Sequence, residues 1–424
     1  MISEPQNQAW NYTSVNDSLV KLGLKCSELA KSSNNGINLN KLLSIVLATN
    51  EFENAVCEME IFRNIGEPRG ITTTICLNIF NQVNSNANVT IESLVNETIL
   101  DLRGLPTEKF SKVRVRGLAL GINQFNLTED ILFLKFNETD IQVEDFQTGY
   151  EYMELLCDSI CEIKFKLIQF IELQHKIESI FQILRLFRPH PIHWKFYNLK
   201  SKSLFNHSSG TLRNIKYLSQ EPKLIVNDLN KEEISKFYAF FKEHELDQRL
   251  LNTSNNHIDI ALNRYEKAVL ANEIVEEKIT NAVSGLEALY LIERDELVYR
   301  FGLRISKVMS IFDYEHLETI KKLKTAYTIR SEFIHGQLSK EDKLEDILNF
   351  TLECLRKSII VFLVLEKNGY KKEALIKKIE HGFVDKKISQ ELIDEIQKLT
   401  DELKFNLQQD YNVIKSNYNL QVIK

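Results

Sequence analysis

The chain has 424 residues, too many for one ordinary hydrophobic core, so two or three domains are expected. Its hydrophobic content of 43 % and charged content of 26 % are those of a globular protein, and 14 Gly and 6 Pro exclude long flexible linkers and favour helix. A formal net charge of -6 and a pI near 6.0 exclude a protein that holds long nucleic acid through its whole surface, so any such contact must be local.

In chain order, the opening "MISEPQNQAWNYTSVNDS" is polar and has no apolar core, so no signal peptide is expected. No run of about 18 apolar residues occurs anywhere, so no membrane span is expected. Residues 14–60 read mainly as helix, most clearly in "LNKLLSIVLA", and "GEPRG" at 66–70 breaks the pattern. From 71 to 147 the texture changes. "ITTTICLNIF", "VNETILDL", "KVRVRGLALG" and "ILFLKFNETDIQV" are short, rich in β-branched and aromatic residues and partly alternating, which predicts strands.

Residues 149–187 carry a long apolar periodicity and predict a helix or helix pair. "RPHPIHWKFYNL" ends it and continues as an extended segment. His190 and His193 there form an His-x2-His pair, but two ligands without a carboxylate or thiol partner do not make a metal site. Cys157 and Cys161, four apart on the helical pattern, are likewise read as structural thiols, and scattered unpaired cysteines suit a reducing cytoplasm. "LNKEEISKFYAFFKEHELD" predicts a helix with Asn230 as its cap and acids in its first turn.

From about 257 the pattern is helical throughout. Five helices are predicted in "IALNRYEKAVLA", "EIVEEKITNAVSGLEALYLI", "ELVYRFGLRISKVMSIF", "HLETIKKLKTAYTIRSEFIHG" and "EDKLEDILNFTLECLRKSIIVFLVLEKNG". Short linkers predict antiparallel neighbours in a bundle. Residues beyond 369 predict amphipathic helices. The expected class is α+β, mostly α. An N-terminal helical and β-strand domain spans 1–148, a connecting helical and extended region 149–256, a helical bundle 257–368, and an amphipathic tail 369–424.

The fourth bundle helix carries the chemistry. On a helical wheel Ile320, Leu323, Tyr327 and Ile334 form the expected core stripe, with Arg330 at its edge. Lys324, Ser331 and His335 share a polar face, and Gly336 is placed to end the helix as its C′ residue. Arg330 and His335 lie about 140° apart on an ideal helix. They converge only if the helix end relaxes at Gly336, or if two chains each supply their helix end. An arginine forks onto two phosphate oxygens, and a histidine moves a proton near neutral pH. RNA brings its own nucleophile in the 2′-hydroxyl, so such a pair needs no metal or other cofactor. Lys321, Lys322 and Lys324 supply a local basic strip for an RNA backbone.

"AYTIRSEFIHG" resembles the signature of HEPN domains, in particular the Apea-like HEPN group: an Arg, a polar residue and a His at the end of a helix in an all-α bundle. "NAVSGLEALYL" is similar to that group's second helix and "ELVYRFGLRIS" to its third, so the likeness spans roughly residues 257–368. The resemblance implies a metal-independent endoribonuclease, without cofactor, that works as a homodimer and leaves 2′,3′-cyclic phosphate and 5′-hydroxyl ends. It implies that Arg330 holds the phosphate and His335 handles the proton. Ser331 stands where the group more often has Asn, Asp or His. Glu287 matches an acid common in the second helix, and either orients Arg330 or caps a bundle contact. The implied setting is a cytoplasmic antiviral-defence or toxin-like effector whose N-terminal domain senses a trigger or contacts a partner. The alternative is a catalytically inactive HEPN module that binds nucleotides or docks partners. The acidic net charge leans towards that alternative, and the presence of both Arg330 and His335 leans against it.

Overall fold

The computed structural model describes residues 12–32, 38–84, 90–137, 157–167, 170–205, 211–213, 223–244, 246, 256–270, 273–292 and 297–403. Among them the protein is mostly helical, with a six-stranded sheet in the order Gln124–Thr128, Ile131–Lys135, Ser159–Leu167, Thr107–Arg116, His193–Ser201 and Thr211–Arg213, and a two-stranded parallel pair of Leu118–Leu120 with Leu224–Val226. Two compact units are present. The first comprises Met1–Lys112, Glu162–Gln174 and Tyr197–Leu212, the second Val113–Cys161, His175–Phe196 and Arg213–Lys424.

The first unit is built on α1 (Tyr12–Ser32), α2 (Leu39–Leu47), α3 (Asn50–Glu58), α4 (Pro68–Asn84) and α5 (Ile91–Leu102). Two segments expected to be strands, 71–80 and 95–102, are therefore helices. The β-branched residues misled. Thr72, Thr73 and Thr74 each turn a hydroxyl back onto the carbonyl four residues earlier, on Pro68, Arg69 and Gly70 at 2.8, 2.7 and 3.0 Å, which satisfies them within a helix. Ile71, Ile75 and Ile79 then fall on one buried face with Cys76 and Phe80. Pro68, expected to break structure, is instead the first helical residue, where its missing N–H costs nothing. The α1–α5 core is apolar throughout. At Gly23 an added Cβ would sit 2.5 Å from Ile91 Cγ2, so that glycine lets α1 close on α5.

The strands are β1 (Thr107–Arg116), β2 (Leu118–Leu120), β3 (Gln124–Thr128), β4 (Ile131–Lys135), β5 (Ser159–Leu167), β6 (His193–Ser201), β7 (Thr211–Arg213) and β8 (Leu224–Val226). The long helix expected over 149–187 is corrected. Residues 149–156 lie outside the described residues, 159–167 form β5, and only Phe170–Phe187 is helix, here α6. Cys157, Ser159, Cys161 and Ile163 are buried in strict alternation and Phe165 continues their face, but with no Gly or Pro before α6 the period of two was read into the helical run that follows. The second half of "ILFLKFNETDIQV", from 138, also lies outside the described residues. Helix α7 (Lys231–Glu243) starts where expected, yet Asn230 does not cap it by its side chain. Its amide donates to the Ile225 carbonyl at 2.8 Å and its oxygen accepts from Asn227 N–H at 2.9 Å.

The five helices expected from 257 onwards are α8 (His257–Leu270), α9 (Val275–Tyr290), α10 (Leu297–Met309), α11 (His316–Ile334) and α12 (Leu344–Lys367). Helix α9 packs against α8, α11 and α12. Gly285 makes this possible: a Cβ there would lie 2.8 Å from Leu355 Cδ2. This unit buries a cluster of charges on one helix. On α12, Glu353 and Arg356 pair at 2.8 Å, and Arg356 Nη1 donates to the Leu186 and Phe187 carbonyls at the end of α6. Lys357, also fully buried, donates to the Tyr314 hydroxyl at 2.7 Å. Burial alone would push the Glu353 carboxyl up, but Arg356 and Lys357 hold it below its ordinary value. Burial pulls the Lys357 ammonium down to about 8 against the pull of Glu353.

Beyond α12, α13 (Lys372–His381) and α14 (Lys386–Glu402) dock on the bundle. Buried Arg304 of α10 donates to Glu380 Oε1 from Nε at 3.0 Å and from Nη2 at 2.6 Å, and to the Tyr290 carbonyl at 2.6 Å. Lys372 donates to the Ala288 and Leu291 carbonyls, both at 2.7 Å. Two cations thus close the C-terminal end of α9, where carbonyls have no helical partners. No helix among the described residues is long and apolar enough to cross a membrane.

Candidate active site at the end of helix α11

Helix α11 is well started and well stopped. The Glu315 carboxylate accepts from the Leu317 and Glu318 N–H groups at its N-terminus. At the other end His335 is the C-cap and Gly336 takes φ +77°, the left-handed conformation glycine favours. Gly336 N–H donates to the Phe333 carbonyl at 3.0 Å and Gln337 N–H to the Glu332 carbonyl at 2.9 Å, the paired bonds of a Schellman stop. The helix therefore keeps its turn up to Ile334, and His335 is fixed in its backbone but exposed in its side chain.

The core stripe of α11 differs from the expected one. Thr319, Leu323, Ala326 and Ile329 are buried, Ile320 and Tyr327 are partly exposed, and Ile334 is 55 % exposed. Rotating the stripe brings Arg330 towards α9. There Arg330 Nη2 meets Glu287 Oε2 at 3.0 Å, with the two side chains 23 % and 17 % exposed. Tyr327, one turn earlier, completes the cluster. Its ring centroid lies 5.5 Å from Arg330 Cζ. Burial pushes the Glu287 carboxyl above its ordinary value, against the opposing pull of the Arg330 guanidinium and the Tyr327 hydroxyl. Burial and the neighbouring Glu287 charge likewise push the Tyr327 phenol up. Arg330 Nε–H is buried and has no acceptor among the described residues.

The structure thus brings Glu287 to Arg330 and leaves His335 apart from them. Arg330 and His335 are five positions apart on the helix, about 140° around the axis and about 7.5 Å along it. His335 shares its exposed face with Lys321, Lys324 and, half-exposed, Ser331. Lys322 is turned away from that face. It pairs with Glu318 at 2.6 Å and lies 4.8 Å from the Phe350 ring. The residue that sequence reasoning missed is Tyr327, assigned there to the core. The available signal was its i, i+3 spacing to Arg330, which puts a phenol beside a guanidinium.

The other motifs behave as local structure. His193 is buried with Nδ1 2.9 Å from the Pro191 carbonyl oxygen, and Cys157 and Cys161 are buried free thiols. Among the described residues no group of three or more His, Cys, Asp or Glu side chains is placed to hold a metal ion. No protein-family model, curated protein or solved structure matches the chain.

Proposed function

We propose that the protein is a metal-independent endoribonuclease of HEPN type, acting as a homodimer. The observation that carries this reading is Arg330. Its guanidinium is held at the bundle surface by a carboxylate and a phenol, one turn before an exposed histidine at a rigid helix end. Arg330 binds the scissile phosphate and stabilises charge developing on its oxygens. His335 takes the proton of the ribose 2′-hydroxyl, whose oxygen attacks phosphorus. The bond from phosphorus to O5′ breaks, O5′ takes a proton, and the products carry 2′,3′-cyclic phosphate and 5′-hydroxyl ends. Because α11 keeps its helical turn to Ile334, the Arg330 and His335 of one chain diverge, and a second copy must bring its helix end alongside. Val298, Tyr299, Ile334 and Leu338, all exposed, supply apolar surface for such a contact. Lys321 and Lys324 steer the RNA backbone.

The resemblance supports the wider setting, a cytoplasmic antiviral-defence or toxin-like effector with its trigger sensed by the N-terminal unit. Six free cysteines suit a reducing compartment. One observation favours the alternative, an inactive docking module: the Arg330 charge is already matched by Glu287. The deciding experiment incubates wild type and His335→Ala with total RNA in EDTA and analyses fragment ends. Cyclic-phosphate fragments from wild type alone are expected. Equal cutting by the two proteins would remove His335 from the mechanism. Arg330→Ala is expected to abolish cutting with an unchanged melting temperature, and a collapse of that temperature would mark the residue as structural.

A further inference from the structure

We infer that the substrate of this site is single-stranded RNA whose backbone runs along α11, with Lys324 and Lys321 holding phosphates several nucleotides from the one that reacts; the inference rests on the ribonuclease reading. At about 100° per residue, Lys321, Lys324, Thr328, Ser331 and His335 fall in one row about 80° wide. Lys321, Lys324, Thr328 and His335 are exposed, and Ser331 is half-exposed. The row is open to a ligand. Thr328 folds its hydroxyl back onto the Lys324 carbonyl at 3.1 Å, and among the described residues neither Lys321 nor Lys324 pairs with a carboxylate. Of the two acids of α11 that border the row, Glu318 is taken by Lys322 at 2.6 Å and Glu332 is half-buried. Arg330 faces Glu287 on another side of the helix and does not belong to the row.

In a chain of net charge -6, ammonium groups without carboxylates beside them set up a local positive potential that attracts a polyanion. Because they share the face of His335, a strand that reaches the histidine continues along the same helix. The helical rise puts Lys324 about 16.5 Å and Lys321 about 21 Å along the axis from His335. A stacked strand advances about 3.4 Å per phosphate, so these distances correspond to about five and six nucleotides. The row selects a single strand for two reasons. A convex helix with one line of cations touches one backbone. In-line attack by the 2′-hydroxyl also needs a linkage free to rotate, which base pairing in a duplex denies. Lys321 and Lys324 therefore set the length and the form of the RNA, and the chemistry stays with Arg330 and His335.

The test separates binding from cutting by measuring, in His335→Ala, the affinity for a single-stranded RNA of about twelve nucleotides over a range of salt, a length that spans the row on either side of the scissile bond. Adding Lys321→Gln and Lys324→Gln should weaken binding about tenfold at low salt and flatten the slope of log affinity against log salt by about 1.4, two phosphates at about 0.7 each. Adding Lys21→Gln and Lys41→Gln instead, two exposed lysines of the first unit, makes the same change in net charge and should leave the slope as it was. An unchanged slope in the α11 pair overturns the proposal, as does an equal change in the first-unit pair or a His335→Ala protein that binds no RNA. Wild type should cut the single strand and spare the same sequence in a duplex, and equal cutting of both overturns the choice of a single strand. If the slope falls as expected while wild type cuts nothing, the ribonuclease reading fails and the RNA track on α11 stands.

Discussion

The two helical cores of this protein are held together by different means. The α1–α5 core of the first unit is built from apolar side chains, and the buried threonines Thr72 and Thr98 bond back to their own helices. The bundle of the second unit buries Glu353, Arg356, Lys357 and Arg304 among its aliphatic residues. An apolar core tolerates exchange of one aliphatic for another of similar volume. A core with buried ions tolerates one arrangement, because each charge is costly without its partner. The bundle that presents the candidate site is thus the more narrowly specified of the two.

The contrast is broken most strongly at Glu353. Glu353→Leu leaves Arg356 and Lys357 buried without their carboxylate, and a loss of about 3–5 kcal/mol is expected in the denaturant transition of the second unit. The next effect is pH-dependent. Native Lys357 releases its proton near pH 8, whereas the unfolded chain holds it to the ordinary 10.5. Between these values the unfolded state binds more protons, so stability rises with pH, by about 3 kcal/mol over the window. Denaturation of wild type against Lys357→Met from pH 7 to 10.5 should show a steeper rise in wild type, over the contribution that Lys109, Lys278 and Lys307, also pulled down by burial, make to both proteins.

Two glycines offer a matched pair. Gly23→Ala and Gly285→Ala each force a methyl into a closely packed helix contact, at about 1–3 kcal/mol each. Only Gly285→Ala shifts the helix that carries Glu287, so only it should also reduce RNA cleavage. The smallest effect is at the surface of the first unit. Thr90→Ala removes the hydroxyl that accepts from the Ser93 N–H at the start of α5 and should cost about 1 kcal/mol of thermal stability.

What the sequence revealed depended on whether a feature is local. The end of α11 is local: Gly336 announces the stop, and the Arg330–His335 spacing can be read along one helix. Helix α4 was hidden because its threonines satisfy themselves on the preceding turn, so residues typical of strands sit in a helix. Strand β5 was hidden because no Gly or Pro separates it from the apolar helix that follows. The role of Tyr327 was hidden for another reason. On α11 alone it belongs to an apolar stripe, and only the pairing of Arg330 with Glu287 of α9 shows that its ring lies against a fixed guanidinium. Glu287 itself was visible only through the resemblance, since its own helix gives no reason to prefer it over its acidic neighbours.

The pair of cations that closes α9 also gives the bundle a mechanical weak end. Lys372 grips the Ala288 and Leu291 carbonyls on either side of the last turn, beside Glu287, and it does so from α13, which follows α12 in the chain. Force applied through α14 would peel α14 and then α13, and Lys372 would leave with them before the buried ions of α12 felt any load. The last turn of α9 would fray at that moment, and Arg330 would lose its carboxylate while most of the bundle remained folded. A pulling experiment that grips residue 402 should therefore register an early, small extension before the main rupture, and its height should fall in Lys372→Met.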